Sequence, residues 1–357
     1  MQNAGQFDKQ VRYAILGTGG ITWLTDNAIW ITTLKADSAG SAPGAERRSH
    51  QAPQDWRASD VRLVFIGANA HPKMEPSAPL ATHVSYLIGA GSNTWHVNVP
   101  VWQSVRYRDL YPGVDLVVNA PRAGSDLRFN WQLEGRQDGA GAVRLHLDGV
   151  QTAQEESNLL VLNTGLGEVR LPLIQSPGAG EQTSIQRTGL AAFDVISPLT
   201  ATRQPGSPAS AASTGTTVAY STYLGGSSWE FGYGIATASD GSAFVTGRTA
   251  SADFPTTPGA FDTSLASTDA FVAKLNDKGD SLIYATYMGG SADDMGYSIA
   301  VSNDEAYVAG RTSSSDFPLS SGSAGGYDAF AVCLNSTGTG LIYGLTWGDQ
   351  MMMRRGA

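Results

Sequence analysis

From Tyr220 to Asp349 one pattern is written out twice and begun a third time, which confines this half of the chain to a stack of like units. Tyr220-Ser221-Thr222-Tyr223-Leu224-Gly225-Gly226 returns 64 residues later as Tyr284-Ala285-Thr286-Tyr287-Met288-Gly289-Gly290, and 59 residues after that as the degraded Tyr343-Gly344-Leu345-Thr346-Trp347-Gly348. The order between these marks is also kept. Gly232-Tyr233-Gly234-Ile235-Ala236 matches Gly296-Tyr297-Ser298-Ile299-Ala300, and Ala243-Phe244-Val245-Thr246-Gly247-Arg248-Thr249 matches Ala306-Tyr307-Val308-Ala309-Gly310-Arg311-Thr312. Asp253-Phe254-Pro255 then matches Asp316-Phe317-Pro318, and Asp269-Ala270-Phe271 matches Asp328-Ala329-Phe330.

Each copy reads as short β runs between turn residues. Asp240-Gly241, between apolar runs, is a hairpin signal because glycine supplies a positive φ at no steric cost. Ile235 to Ala243 is a strand, this turn and the start of a second strand, Ala243–Val245; Ala270–Leu275 is the third, and Leu282–Tyr287 the fourth. Four antiparallel strands in about 60 residues match a propeller blade, longer than the usual repeat of about 40–50 through an insertion around Asp253-Phe254-Pro255. Such a small sheet has two apolar faces and must stack on another.

At these residues the sequence resembles the bacterial seven-bladed β-propeller repeats called SBBP repeats, with five motifs in the same order twice over about 130 residues, Tyr220 to Asp349. The resemblance implies an all-β fold, and with two blades and the opening strand of a third, an incomplete propeller over 218–349. Such a partial ring calls for further blades or self-association. Gln350-Met351-Met352-Met353-Arg354-Arg355-Gly356-Ala357 fits no repeat position, so 350–357 is a non-repeat tail and the chain reads as a truncated or frame-shifted product.

Residues 1–175 hold no internal repeat. Val11–Leu16, Ile21–Thr25 and Ala28–Leu34 are alternating or β-branched runs broken by Gly17-Thr18-Gly19-Gly20 and Asp26-Asn27, the rhythm of an antiparallel meander in a sandwich-like domain. Ala36 to Asp60 reads as an insertion rich in Ser, Pro and Ala, and Val61–Asn69 as a strand and turn. Trp95–Pro100 and Val105–Val118, with the Tyr111-Pro112-Gly113 turn, resemble the uncharacterised all-β domain that precedes SBBP repeats in large bacterial surface proteins. Residues 176–217 read as an extension and an Ala/Ser/Thr/Gly/Pro-rich linker.

The net charge of −9 is uneven: 14 acidic residues against 4 basic ones from Tyr220 to Asp349 give −10 there and leave +1 elsewhere. An acidic repeat half argues against nucleic acid as a partner. The single cysteine, Cys333, stands where the first repeat has Lys274 and reads as a small core residue. No window of about 20 apolar residues suggests a membrane span. No basic and apolar leader opens the sequence, whereas the SBBP resemblance implies an exported, extracellular or cell-surface protein.

Among candidate sites, Glu230 and Asp294 are 64 residues apart at equivalent positions, with Asp293, Asp304 and Glu305 near in sequence. Oxygen ligands on Gly-rich loops make Glu230, Asp293 and Asp294 a candidate Ca²⁺ set, and solvated loop acids the alternative. Arg248 and Arg311 could clamp a carboxylate-bearing ligand or pair with the repeat acids. Asp253-Phe254-Pro255 and its copy read as a turn with Phe inserted between blades, or as the lining of a ligand groove. Asp109 and Asp115 read as turn formers, and the five scattered histidines offer no zinc pair. No catalytic residue is assigned. The resemblance thus implies a non-enzymatic scaffold for adhesion or for protein or glycan ligands. The reading from another class is a glycan hydrolase or lyase with acidic residues as general acid and base.

Overall fold

The computed structural model describes residues 1–17, 20–36, 56–119, 130–135, 141–156, 159–172, 184–199, 218–319 and 326–347. Thr18 and Gly19, the insertion over 37–55, the linker stretch 200–217 and the tail 350–357 lie outside them. Regular structure among the described residues is all strand apart from a single 3-10 turn, Ser92–Thr94. The residues group into two units, Met1–Leu80 with Pro100–Thr216, and Ala81–Val99 with Thr217–Ala357.

In the first unit a seven-stranded sheet runs in the order Val11–Gly17, Gly20–Thr25, Ala28–Ala36, Trp56–Phe65, Gly141–Asp148, Ala192–Leu199, Ser184–Arg187. The first three form the expected antiparallel meander. Trp56–Phe65 begins five residues earlier than the alternation at Val61 indicates. Arg57, Ser59 and Asp60 pair with Lys35, Thr33 and Thr32 along one edge-to-edge ladder, so polar residues extend the strand where its outer face meets water. Leu24, Ile29, Ile31, Leu63, Leu145 and Leu147 point inward from this sheet onto Tyr107, Leu116, Leu160 and Leu171. The Tyr111-Pro112-Gly113 turn forms as expected, with Gly113 at φ +72° and Tyr111 opposite Val114. Asp115 explains the irregular ladder before it: its carboxylate accepts the Asp109 amide at 2.7 Å, holding Asp109 at φ +47°, and pairs with Arg106 at 3.1 Å.

The second unit contains both expected blades. Glu230–Thr237, Ala243–Thr249, Asp269–Leu275 and Leu282–Met288 form one four-stranded antiparallel sheet, and Asp294–Ser302, Glu305–Thr312, Asp328–Leu334 and Leu341–Trp347 the other. Phe244, Val272, Tyr284 and Met288 on one face of the first blade pack against Ile299, Val308, Phe317, Phe330 and Val332 of the second. Each such side chain removed from water stabilises the stack by about 1.5–3 kcal/mol. Phe317 therefore lies between blades, as its motif suggests.

One contact fixes the spacing of the stack. Gly338, at φ +71°, lies so close to Tyr284 of the preceding blade that a Cβ would fall 2.3 Å from the ring. Gly279, at φ +64°, stands in the same relation to Tyr220, with a Cβ 2.2 Å from the ring, and its carbonyl accepts the Thr222 hydroxyl at 2.5 Å. Tyr220–Gly225 is thus the outer strand of a sheet stacked on the first blade as that blade stacks on the second.

The neighbours of Tyr220–Gly225 are not repeat strands. It runs parallel to residues 83–88, with Leu224 opposite Leu87 and Tyr223 stacked on Tyr86 at 4.9 Å. Residues 81–99 form the turn end of the long pair Lys73–Ile88 and His96–Tyr111. Gly89 donates to the Gly225 carbonyl at 2.9 Å, and Thr82 to that of Val218 at 2.5 Å. Leu87 is buried with Ala243 and Leu275 of the first blade, and Asn98 donates to Asp280 at 2.8 Å. A hairpin from the N-terminal half of the sequence occupies the place of the missing strands.

Candidate functional site

The recurring acids anchor loops of their own blades. Asp253 accepts the Ser227 amide at 2.7 Å and its hydroxyl at 2.9 Å, and Asp316 does the same for Ser291 at 2.8 and 2.9 Å. These bonds from the Ser227 and Ser291 amides hold both carboxyls below the ordinary carboxylate range. Glu230 accepts from the hydroxyls of Thr249, at 2.9 Å, and Ser251. Asp294, fully buried, accepts the Gly290 amide at 2.7 Å and the Ser314 hydroxyl at 2.8 Å. Of the three acids read as calcium ligands, Asp293 and Asp294 are neighbours, and Glu230 occupies the position equivalent to Asp294 in the other blade. No group of three or more His, Cys, Asp or Glu among the described residues is placed to hold a metal ion.

A different carboxyl stands out electrostatically. Asp269 starts the third strand of the first blade and is buried where the second blade begins, the Asp294 amide donating to the Thr268 carbonyl at 2.7 Å. Burial, reinforced by the Asp294 and Asp262 charges, pushes its pKa up to about 7 against the Ala266 amide it accepts. Burial likewise raises Asp294. The fourth-strand end brings both carboxyls to Gly289, where a Cβ would fall 2.5 Å from Asp269 and 2.8 Å from Asp294. Glycine is required there because two buried carboxyls converge on its backbone.

Cys333 is fully buried, and burial raises its thiol pKa. Lys274, its counterpart, is also buried, and reaches from the first blade to Asp304 of the second at 2.6 Å while lying 5.0 Å over the Phe244 ring. His146 in the first unit sits between Asp194 at 2.6 Å and Asp148 at 3.1 Å, a carboxylate pairing and not a metal set.

The two arginines do not pair with the repeat acids. Arg248 packs against two rings, its guanidinium carbon 4.8 Å from the centre of Trp229 and 4.9 Å from that of Phe231, and donates only to the Met295 sulfur, at 3.6 Å, among the described residues. Arg311 lies 4.2 Å over Tyr327 with no carboxylate partner among those residues. The Nε of each is buried without an acceptor. Met295 stands opposite Arg311 in its ladder, and its sulfur accepts from Arg248 of the preceding blade.

Around them runs a row of rings: Trp229 to Phe231 at 5.4 Å, Phe231 to Tyr233 at 6.3 Å and Tyr233 to Tyr297 at 5.5 Å. Burial raises the Tyr233 hydroxyl pKa, and both Arg248 and Arg311 are near enough to oppose it. All four rings are at least partly exposed. Sequence reading singled out the arginines and missed the row, although Trp229-Glu230-Phe231-Gly232-Tyr233 carries the alternation that puts three rings on one side of a strand. The arrangement offers partly exposed aromatic surface, successive rings tilted by up to 58°, beside two cations that rest on rings.

Two family models match the chain: a domain of unknown function, DUF7948, over residues 1–176, and the SBBP β-propeller repeat over residues 219–255. No curated protein matches it.

Proposed function

We propose that this chain, a DUF7948 domain followed by SBBP β-propeller repeats, is a non-enzymatic scaffold of the bacterial cell surface or extracellular space that binds protein or glycan ligands in adhesion. The observation that carries this reading is how the recurring carboxyls are engaged. Asp253, Asp316, Glu230 and Asp294 each hold serine or threonine groups of their own blade, a structural use repeated with the fold. A general acid and base must also reach a substrate, whereas Asp269 and Asp294, the two carboxyls that converge with raised pKa, are both buried at the boundary between the blades. The exposed rings beside Arg248 and Arg311 suit binding, since aromatic and arginine side chains bring large contact area and directional donors.

Glycan-array binding, run beside hydrolysis and lyase assays on the polysaccharides that bind, tests the reading. Binding without product is expected; turnover of any bound polymer would overturn it. Protease accessibility of the protein on intact cells tests the location, with cleavage expected and full protection contradicting it.

A further inference from the structure

We propose that Arg248 and Arg311, with the rings of Trp229, Phe231, Tyr233 and Tyr297, form a binding site for a single carboxylated sugar carried on an otherwise neutral glycan. This assignment rests on the scaffold reading and names its ligand.

The repeat half holds 14 acids against 4 bases, so a guanidinium there has every chance of an acidic partner. Arg248 and Arg311 have none among the described residues and lie against rings instead. A guanidinium that rests on rings meets no competing carboxylate, and its terminal N–H groups can donate to the oxygens of an incoming one. The two are contributed by equivalent positions of adjacent blades, and both lie near enough to the Tyr233 hydroxyl to act on its charge, so an anion beside that ring has both cations in its neighbourhood.

The rings define what is attached to the anion. A pyranose presents an apolar C–H face to an aromatic ring and hydroxyls at its edge, and the row from Trp229 to Tyr297 offers several such faces at centroid steps of 5.4 to 6.3 Å. The tyrosine hydroxyls supply polar contacts at the margin. An extended acidic peptide carries its charges without a pyranose's apolar C–H face to lay on the rings.

The surrounding charge limits the number of carboxylates. Fields from the acids of a half carrying −10 are screened only beyond about 8 Å at physiological ionic strength. A polyanion is repelled along its length, whereas a single carboxylate beside Arg248 and Arg311 meets cations before it meets the acids.

The test uses the full chain and calorimetric titration with sialyllactose, lactose, polygalacturonate and a glutamate-rich peptide. Sialyllactose is expected to bind, and lactose about tenfold more weakly or less, because the charge-assisted bonds are lost. In the double variant R248K/R311K, which keeps both charges and removes the planar forks, sialyllactose binding is expected to fall about tenfold or more at unchanged melting temperature. W229A provides a second variant, expected to weaken sialyllactose and lactose alike. Equal binding of lactose and sialyllactose, no binding of sialyllactose, or wild-type affinity in R248K/R311K would overturn the site. Tighter binding of polygalacturonate or of the peptide would overturn the ligand class. Each of these leaves the scaffold reading standing, whereas cleavage of either saccharide defeats that reading itself.

Discussion

The outer strands of the two blades have related sequences and opposite surroundings. Tyr284, Thr286 and Met288 of the first are 1%, 0% and 0% exposed, while Tyr343, Leu345 and Trp347 at the equivalent positions of the second are 51%, 58% and 52% exposed. The difference lies in what covers each sheet, since the second blade sits on the first and no described residue sits on the second in the same way. A blade is therefore stable through its neighbour as much as through its own ladder.

The sharpest way to break this comparison is to truncate equivalent tyrosines. Tyr284→Ala is expected to cost about 3–5 kcal/mol, the range for large aromatic truncations in a packed core. Tyr343→Ala is expected to change stability by no more than about 0.5 kcal/mol, as at an open surface. Urea unfolding of the full chain measures both, and similar losses would mean that the second blade's outer face is covered in solution.

Leu87→Ala asks whether the hairpin is seated on the first blade as firmly as that blade is on the second. Leu87 is fully buried, so a loss of about 2–5 kcal/mol is expected in the same unfolding experiment. A loss below about 0.5 kcal/mol would leave the hairpin as a loose neighbour.

Acid–base behaviour sharpens the picture of the blade-to-blade boundary. The Asp269 pKa is raised to about 7 by burial, from about 3.9 when unfolded, so the folded chain holds a proton that the unfolded chain releases between these values. Stability contributed by the neutral carboxyl is present below about pH 4 and is lost as pH rises through about 7. Asp269→Asn should flatten the fall in melting temperature between pH 4 and 8 and stabilise the protein at the upper end. A wild-type curve unchanged by the substitution would mean that Asp269 ionises freely.

The smallest expected effect belongs to the first unit. The hydrogen bond from His146 to Asp194, with further help from Asp148, raises the histidine pKa above its ordinary value near 6.5. Its stabilising contribution is complete below about 6.5 and disappears as pH rises through the folded value. An NMR titration should place His146 above the free-histidine value, and Asp194→Asn should bring it down.

The strands of both blades were legible because each motif is short, local and written twice. The meander over residues 11–34 was legible for the same local reason, in its alternation and its turn residues. The hairpin was not. Lys73–Ile88 carries Pro76 and Pro79 and no sustained alternation before Val84, and nothing local in Tyr220–Gly225 states that its partner lies far earlier in the chain. The candidate site divides in the same way. Arg248 and Arg311 could be singled out from the repeat, but whether they meet acids or rings depends on a bulge beside Gly232 and on the stacking of two sheets. The unusual ionisation of Asp269 was invisible, since the burial that causes it is created by the next blade.

The parallel pairing of Tyr220–Gly225 with residues 83–88 has a consequence in time. With 131 residues between the partners, synthesis at about 5–20 residues per second leaves the first strand edge waiting for about ten seconds before its mate emerges. Ribosome-stalled chains ending before Tyr220 should therefore be cut by protease in residues 81–99, and chains ending after Met288 should resist. The hairpin is an unpaired edge at birth, so conditions that slow translation between the two halves would favour aggregation over completion of the stack.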